Sequence, residues 1–455
     1  MLGIDIVLMA LSALLLSCSL LARIASGKRL GLALNLAILS SISVVLALET
    51  QMPVHSLHSL LSFNPYSLFF MLLFTLGMLL VNILAYQYSE NYGDFAVLSN
   101  FALLGMYLVA GSTTLLTIFI GLELATIPAI FMILLSKRSI EAATKFFIMA
   151  SVAVALFSFS MVLFYGGTGN LALGQSAKSD LLAFSAILFI VSLGIDSSVF
   201  PFNLLIPDVY QGSPAYVTSM LGGLNKKVAF AALIQILILS FVAYRSAFEA
   251  IAVLSVLTMF YGNIVAMMQD NLKRMLAYSS ISQAGYILIG IATASALGIE
   301  ASLFQIFSHA FAFIGILGVA AWLESRNKNT ISDLNGLNSE NRFMAFSLTV
   351  FMLAFLGMPL TTGFIGKLLL FLGAANSGLL WLALAGIVNS IISMYYYARP
   401  IMAAYASKPG ARRLPASRAV IITVAISLVI TVAIGIYPQP VIGFASGAAH
   451  YLLAA

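Results

Sequence analysis

Residues 192–240 read SLGIDSSVFPFNLLIPDVYQGSPAYVTSMLGGLNKKVAFAALIQILILS. Two runs long enough to cross a bilayer, near 181–205 and 214–240, meet here across Pro201, Pro207 and Pro214. A spanning helix needs roughly 20 mostly apolar residues. Inside these runs sit an aspartate, Asp196, and two adjacent lysines, Lys226 and Lys227. Proline-interrupted apolar spans that carry charge fit neither a soluble core nor a simple membrane anchor.

Working outward, further spans fall near 3–22, 30–50, 65–87, 95–111, 113–136, 139–164, 247–268, 273–296, 300–323, 343–373, 378–403 and 418–440. The expected fold is therefore an all-α polytopic membrane protein of about fourteen transmembrane helices. The seventh and twelfth spans are both interrupted, at Pro201 and Pro359. Composition agrees: 62% of the 455 residues are apolar and 8% charged, where soluble domains carry roughly 25% charged residues. The first run, from Gly3 to Leu21, has no basic segment before it and reads as a retained helix. Only a short tail is expected after the fourteenth span.

Fifteen of the 21 Lys and Arg lie in the loops after odd-numbered spans, and two, Lys178 and Arg245, lie on the other side. By the positive-inside rule the odd loops are cytoplasmic and both termini face out. The net charge of +6 is thus an orientation signal, and no nucleic-acid partner is expected. The one cysteine, Cys18, holds no cluster, and His55, His58, His309 and His450 are not at metal-ligand spacing. No cofactor or metal is expected in this chain.

Four lysines remain, all inside spans: Lys145, Lys226, Lys227 and Lys367. Glu123 and Asp196 join them. Each such group costs about 2.5–3.5 kcal/mol at a helix centre, so it faces a bundle interior, a partner or a hydrated path. Glu123, in TIFIGLELATIP, lies mid-span, five residues before Pro128, which weakens the local backbone ladder. Lys145, in SIEAATKFF, is either a partner for Glu123 or a shallow lysine reaching the headgroups. Lys226 and Lys227 point about 100° apart, so one serves a path and the other is paired or snorkels. Lys367 follows Pro359 and two glycines in GMPLTTGFIGKLLLF, a broken-helix pattern. His309, in FQIFSHAFAF, is a hydrogen-bonded core residue or a further relay group. A structural reading, in which these charges only lock helices together, stands beside each assignment. The two broken spans lie five helices apart and hint at a repeat of spans 4–8 and 9–13. Such a chain suits the movement of protons or small cations.

The motifs also resemble a family. PFNLLIPDVYQGSPAYVTSMLGGLNKK (201–227), GLEL (121–124), EAATKFF (141–147), NLKRMLAYSSISQAGY (271–286) and MPLTTGFIGK (358–367) resemble the antiporter-like subunit N of respiratory complex I, the proton-translocating NADH:quinone oxidoreductase. The resemblance covers roughly residues 65–405. It implies two inverted five-helix repeats with discontinuous seventh and twelfth helices. The implied organisation is residues 1–94 (helices 1–3), 95–242 (first repeat), 243–405 (second repeat) and 406–455 (helix 14). It implies proton translocation driven by quinone reduction elsewhere. Flavin, iron–sulfur clusters and quinone would belong to partner subunits, and this chain would do no redox chemistry itself. The expected partners are other membrane and peripheral subunits of such an assembly, within a prokaryotic plasma membrane. By resemblance, Glu123 and Lys145 form a switchable ion pair, Lys226 is the central relay lysine, and Lys367 exchanges protons with the outside.

This sequence departs from the family pattern where a seventh-helix lysine is usual and Asp196 stands instead. Asn203 and Leu205 replace a usual histidine and tryptophan. Pairing of Asp196 with Lys227 would leave Lys226 to carry the proton. His309 is similar to a histidine of the sister subunits, while the short tail argues against the sister that carries a lateral helix. The alternatives are a subunit of a multi-subunit cation/proton antiporter, a membrane-bound hydrogenase subunit, or a structural scaffold. PDVYQGSP weighs against the antiporter.

Overall fold

Polar caps fix where the helices begin. The Asn64 side chain accepts from the backbone of Ser67 while its own backbone N–H donates to Ser67 Oγ, Thr114 caps at Thr117, and Asn271, Ser295, Asn341 and Ser417 accept likewise for later helices. Each satisfies a backbone N–H that has no partner within the helix. The computed structural model describes residues 28–49, 55–57, 60–136, 139–175, 179–407 and 412–454. The expected first span with Cys18, together with His58, Lys137, Arg138, Lys178 and Lys408, lies outside the described residues.

The helices are α1 (Lys28–Glu49), α2 (Pro65–Tyr88), α3 (Tyr92–Ala110), α4 (Leu115–Leu134), α5 (Ile140–Thr168) and α6 (Asp180–Asp196). They continue as α7 (Ile206–Gly212), α8 (Ala215–Met220), α9 (Lys226–Ser240), α10 (Arg245–Met267), α11 (Leu272–Ala292) and α12 (Ala296–Glu324). The remainder are α13 (Leu337–Glu340), α14 (Arg342–Leu356), α15 (Thr362–Asn376), α16 (Leu380–Tyr405), α17 (Arg418–Ile436) and α18 (Gln439–Ala454). Among the described residues, ten helices are long and apolar enough to cross a bilayer. The expected second, seventh and twelfth spans appear as shorter apolar helices or as two pieces. The seventh is α6 and α7, divided at 197–205 around a cis Phe200–Pro201 bond. The twelfth is α14 and α15, divided at 357–361.

Three features differ from the expectation. The short tail is helix α18. Pro438 and Pro440 do not prevent it, because proline is tolerated at the start of a helix, where its missing N–H is no loss. Lys273, counted with the loop charges, is inside α11 and buried. A two-stranded antiparallel hairpin, β1 (His55–Leu57) and β2 (Leu61–Phe63), joins α1 to α2 and was not anticipated.

The chain divides into two compact units. One comprises the residues up to Ser197, Leu224–Ala247 and Ser446–Ala455. Its buried amides tie helices together: Asn35 donates to Asn82, and Asn100 donates to Asn35. In the same unit Tyr66 donates to the Ala231 carbonyl at 2.7 Å. The other unit comprises Ser198–Gly223 and Phe248–Ala445, with α11 buried along its whole length. α11 and α12 are buried on almost every side, as befits helices at the centre of a bundle.

Candidate functional site

In the first unit, Gly121 sets the depth of Glu123. A Cβ there would lie 2.8 Å from the Gly105 carbonyl oxygen, so α4 presses directly on α3. Two residues on, Glu123 is half-buried and within electrostatic reach of Asp196, the last residue of α6. Lys226 and Lys227 open α9 immediately after a π-helical turn, Leu221–Asn225. Such turns widen the helix and are frequent at functional positions. The two lysines are 3% and 1% exposed, so neither snorkels, and their charges interact. Lys145 lies one turn into α5, with its ammonium 2.7 Å from Glu141. The structure thus brings Glu123 to Asp196, Lys226 to Lys227, and Lys145 to Glu141.

The second unit holds Lys367 in a different setting. Gly357, at φ +88°, ends α14 in the left-handed conformation that glycine adopts without strain. A Cβ there would strike the Lys367 stem at 2.9 Å, so this glycine also clears the path of the lysine. The ammonium donates to the Leu356 carbonyl (2.9 Å) and to Ser390 Oγ (3.1 Å), and lies 4.3 Å from the centre of the Tyr286 ring. The Tyr286 hydroxyl sits 2.8 Å from Ser390 Oγ. A carbonyl, a hydroxyl and an aromatic face together stabilise this buried ammonium. His309 stacks on Phe313 and packs at a tilt against Phe355, so the end of α14 serves both His309 and Lys367. Asn203, where the family pattern has histidine, is fully buried, and among the described residues neither of its side-chain polar atoms has a hydrogen-bond partner.

The same unit contains a clamp that charge counting missed. Lys273 donates to Glu324 (2.6 Å) and to the Ser213 carbonyl (2.7 Å), while Glu324 accepts from the Ala215 backbone at 2.8 Å. Arg274 pairs with Asp208. The clamp grips both ends of the PDVYQGSPA turn and fixes where α8 begins. Tyr286, Ser390 and the amides around them were also missed. Their only signal was the polar stripe on one helix that runs from Ser279 through the adjacent Ser282 and Gln283 to Tyr286 in steps of three or four residues.

A family model described as NADH:quinone oxidoreductase/Mrp antiporter, transmembrane, matches residues 112–393. The chain belongs to this family. Every site residue named above from Glu123 to Ser390 falls within the match. Relatives named NADH-quinone oxidoreductase subunit N, from Trichlorobacter lovleyi and Heliobacterium modesticaldum, are both 34% identical. The first alignment covers 84% of this chain and 83% of that relative, the second 91% of each. The F420H2 dehydrogenase subunit N of Methanosarcina mazei is 32% identical over 86% of this chain and 85% of its own. A chain of respiratory complex I from Thermus thermophilus matches with a TM-score of 0.84 and 29% identity, over 96% of this chain and 99% of that one. A chain of the Mrp complex from Dietzia sp. matches at TM-score 0.91 and 19% identity, over 98% and 97%, and speaks for the fold alone. The resemblance to the subunits N read from the motifs is borne out.

Proposed function

We propose that this chain is the proton-translocating membrane subunit of a complex I-like donor:quinone oxidoreductase. Buried lysines in a subunit-N relative carry the reading: Lys226, Lys227 and Lys367 are each at most 4% exposed. Glu123 and Asp196 gather protons, Lys226 holds them at mid-membrane, and Lys367 delivers them outward. Lys145 modulates Glu123 as its charge balance with Glu141 changes, Lys227 balances Asp196, and His309 is a reserve relay group. Protons move because adding charge at one buried site shifts the protonation of the next. The chain itself does no redox chemistry. Partner subunits hold the flavin, iron–sulfur clusters and quinone, and they decide the electron donor. Residues 95–242 and 243–405 form two inverted five-helix repeats within fourteen spans, with 1–94 and 406–455 flanking them. The basic loops face the cytoplasm of a prokaryotic plasma membrane, and both termini face out.

The test is gentle purification from native membranes with mass spectrometry of what accompanies the chain. Iron–sulfur and quinone-reducing subunits in fixed proportion are the expected result. The shared fold with an Mrp subunit favours a second reading, a cation/proton antiporter. Recovery of polytopic partners alone, without redox proteins, would decide for it.

A further inference from the structure

Where α14 stops, its last four carbonyls need donors from beyond the helix. The backbone serves two of them: the Gly357 N–H bonds to Leu353 and Ala354, and the Met358 N–H bonds to Leu353. Side chains from other helices take the remaining two. Lys367 donates to the Leu356 carbonyl at 2.9 Å, and Gln283 Nε2 donates to the Phe355 carbonyl, also at 2.9 Å. An ammonium and a neutral amide thus hold neighbouring carbonyls of one helix end. Gln283 lies on α11, three residues before Tyr286, whose ring faces the same ammonium.

Gln283 is itself held. Its Oε1 accepts from Gln305 Nε2 at 2.9 Å, and its own Nε2 lies 3.4 Å from the Tyr397 hydroxyl. The Phe355 carbonyl can only accept, so it fixes which end of Gln283 is the nitrogen, and Gln283 Oε1 fixes Gln305 in the same way. Gln305 then reaches α15: a Cβ on Gly366 would lie 2.1 Å from Gln305 Oε1. Gly366 directly precedes Lys367. One turn beyond Gln305, Ser308 donates to Thr362 Oγ1 at 2.9 Å. The break is therefore gripped on its α14 side by Gln283 and on its α15 side by Gln305 and Ser308. Both glutamines are buried. The C-terminal end of a helix is its negative end and attracts cations. With Gln283 on Phe355, Lys367 meets one of these carbonyls, and its other bond goes to Ser390.

We propose that Gln283, backed by Gln305, is a positioning residue for Lys367. By occupying the Phe355 carbonyl it confines the ammonium to Leu356 and Ser390, beside Tyr286. Without that donor the ammonium is drawn onto both carbonyls at the end of α14 and away from Ser390. The inference rests on Lys367 being a proton carrier; neither glutamine carries a proton itself.

The test uses the whole complex reconstituted in liposomes. Donor-driven gradient formation is followed with a pH-sensitive dye, and quinone reduction and assembly are measured separately. Gln283→Met keeps the length of the side chain and removes the donor. It should assemble, keep quinone reduction and build its gradient several-fold more slowly. Gln283→His, whose ring N–H can still reach a carbonyl, should recover most of the lost rate. On a Lys367→Met background, Gln283→Met should cost nothing further, because Gln283 acts only through that lysine. Natural gradient formation in Gln283→Met overturns the proposal. A Gln283→His variant no better than Gln283→Met overturns it too, as does a further loss on the Lys367→Met background, since either assigns Gln283 to packing. If Gln283→Met does not assemble, Gln305→Leu decides: a slower gradient with assembly intact supports the proposal, and a natural rate overturns it. Full pumping by Lys367→Met alone would end the relay reading and this inference with it. Deficient pumping by Lys367→Met beside natural pumping by Gln283→Met would end the inference alone.

Discussion

The Lys273–Glu324 clamp aside, the two units handle the charges of their candidate relays in opposite ways. The first sets charge beside charge: Glu123 near Asp196 and Lys226 beside Lys227, with Lys145 on exposed Glu141. The second holds Lys367 among neutral groups, a carbonyl, a hydroxyl and an aromatic ring. Charges that meet in a medium of low dielectric feel each other strongly. The first arrangement therefore suits passing an electrostatic signal. The second isolates one carrier among neutral groups that hold its position.

The sharpest way to break this contrast is Glu123→Gln. It removes the charge on which the first unit depends and should lower proton pumping by on the order of 100-fold, typical for loss of a positioned proton carrier. The complex should still assemble, as followed by native electrophoresis. A structural charge would instead cost assembly. Lys367→Arg keeps a cation in the cage of the second unit, but arginine does not release its proton. Pumping should fall nearly as far, again with assembly intact; pumping at the natural rate would mean that only the charge matters. Asp196→Asn should weaken pumping a few-fold, and Lys227→Ala added to it should restore part. A double variant no better than the single one would end the idea that these two balance.

The remaining tests probe stability. Lys273→Ala strands Glu324 and the Ser213 carbonyl. Glu324 is about one-third exposed, so the loss is a modest ~2 kcal/mol, read as a lower melting temperature in detergent. Asp333 lies outside the membrane-spanning helices. The Thr330 hydroxyl and backbone hold its carboxyl below the ordinary carboxylate range. A depressed carboxyl stabilises the fold above its unfolded pKa, and that contribution fades as pH falls through its folded pKa. Asp333→Asn should therefore lower the melting temperature slightly at neutral pH, with the difference vanishing in strong acid.

Much of this was legible in the sequence. Span lengths read directly, because lipid admits only long apolar helices. The breaks at Pro201 and Pro359 were visible as proline within such spans, and Lys226, Lys227 and Lys367 stood out because charge is rare there. What escaped has a common cause. Lys273 looked like any loop lysine, because its partner Glu324 lies 51 residues away. Ser390 and Asn389 are unremarkable until α16 sets them against Tyr286, more than 100 residues earlier. Hydropathy finds helices, but not the partners that their polar residues meet. Helix α18 was missed because its 16 residues fall short of the roughly 20 that a spanning helix needs.

The Lys273–Glu324 clamp has a consequence for how the protein is made. Glu324 is synthesised 109 residues after Ala215, whose backbone it holds. At roughly 5–20 residues per second, that delay lasts roughly 5–20 s. Throughout it, the segment bearing Lys226 and Lys227 has left the ribosome without the acid that secures its start. The insertion machinery must shelter two costly lysines for that time, so slowing translation between codons 215 and 324 should expose the nascent chain to membrane proteases.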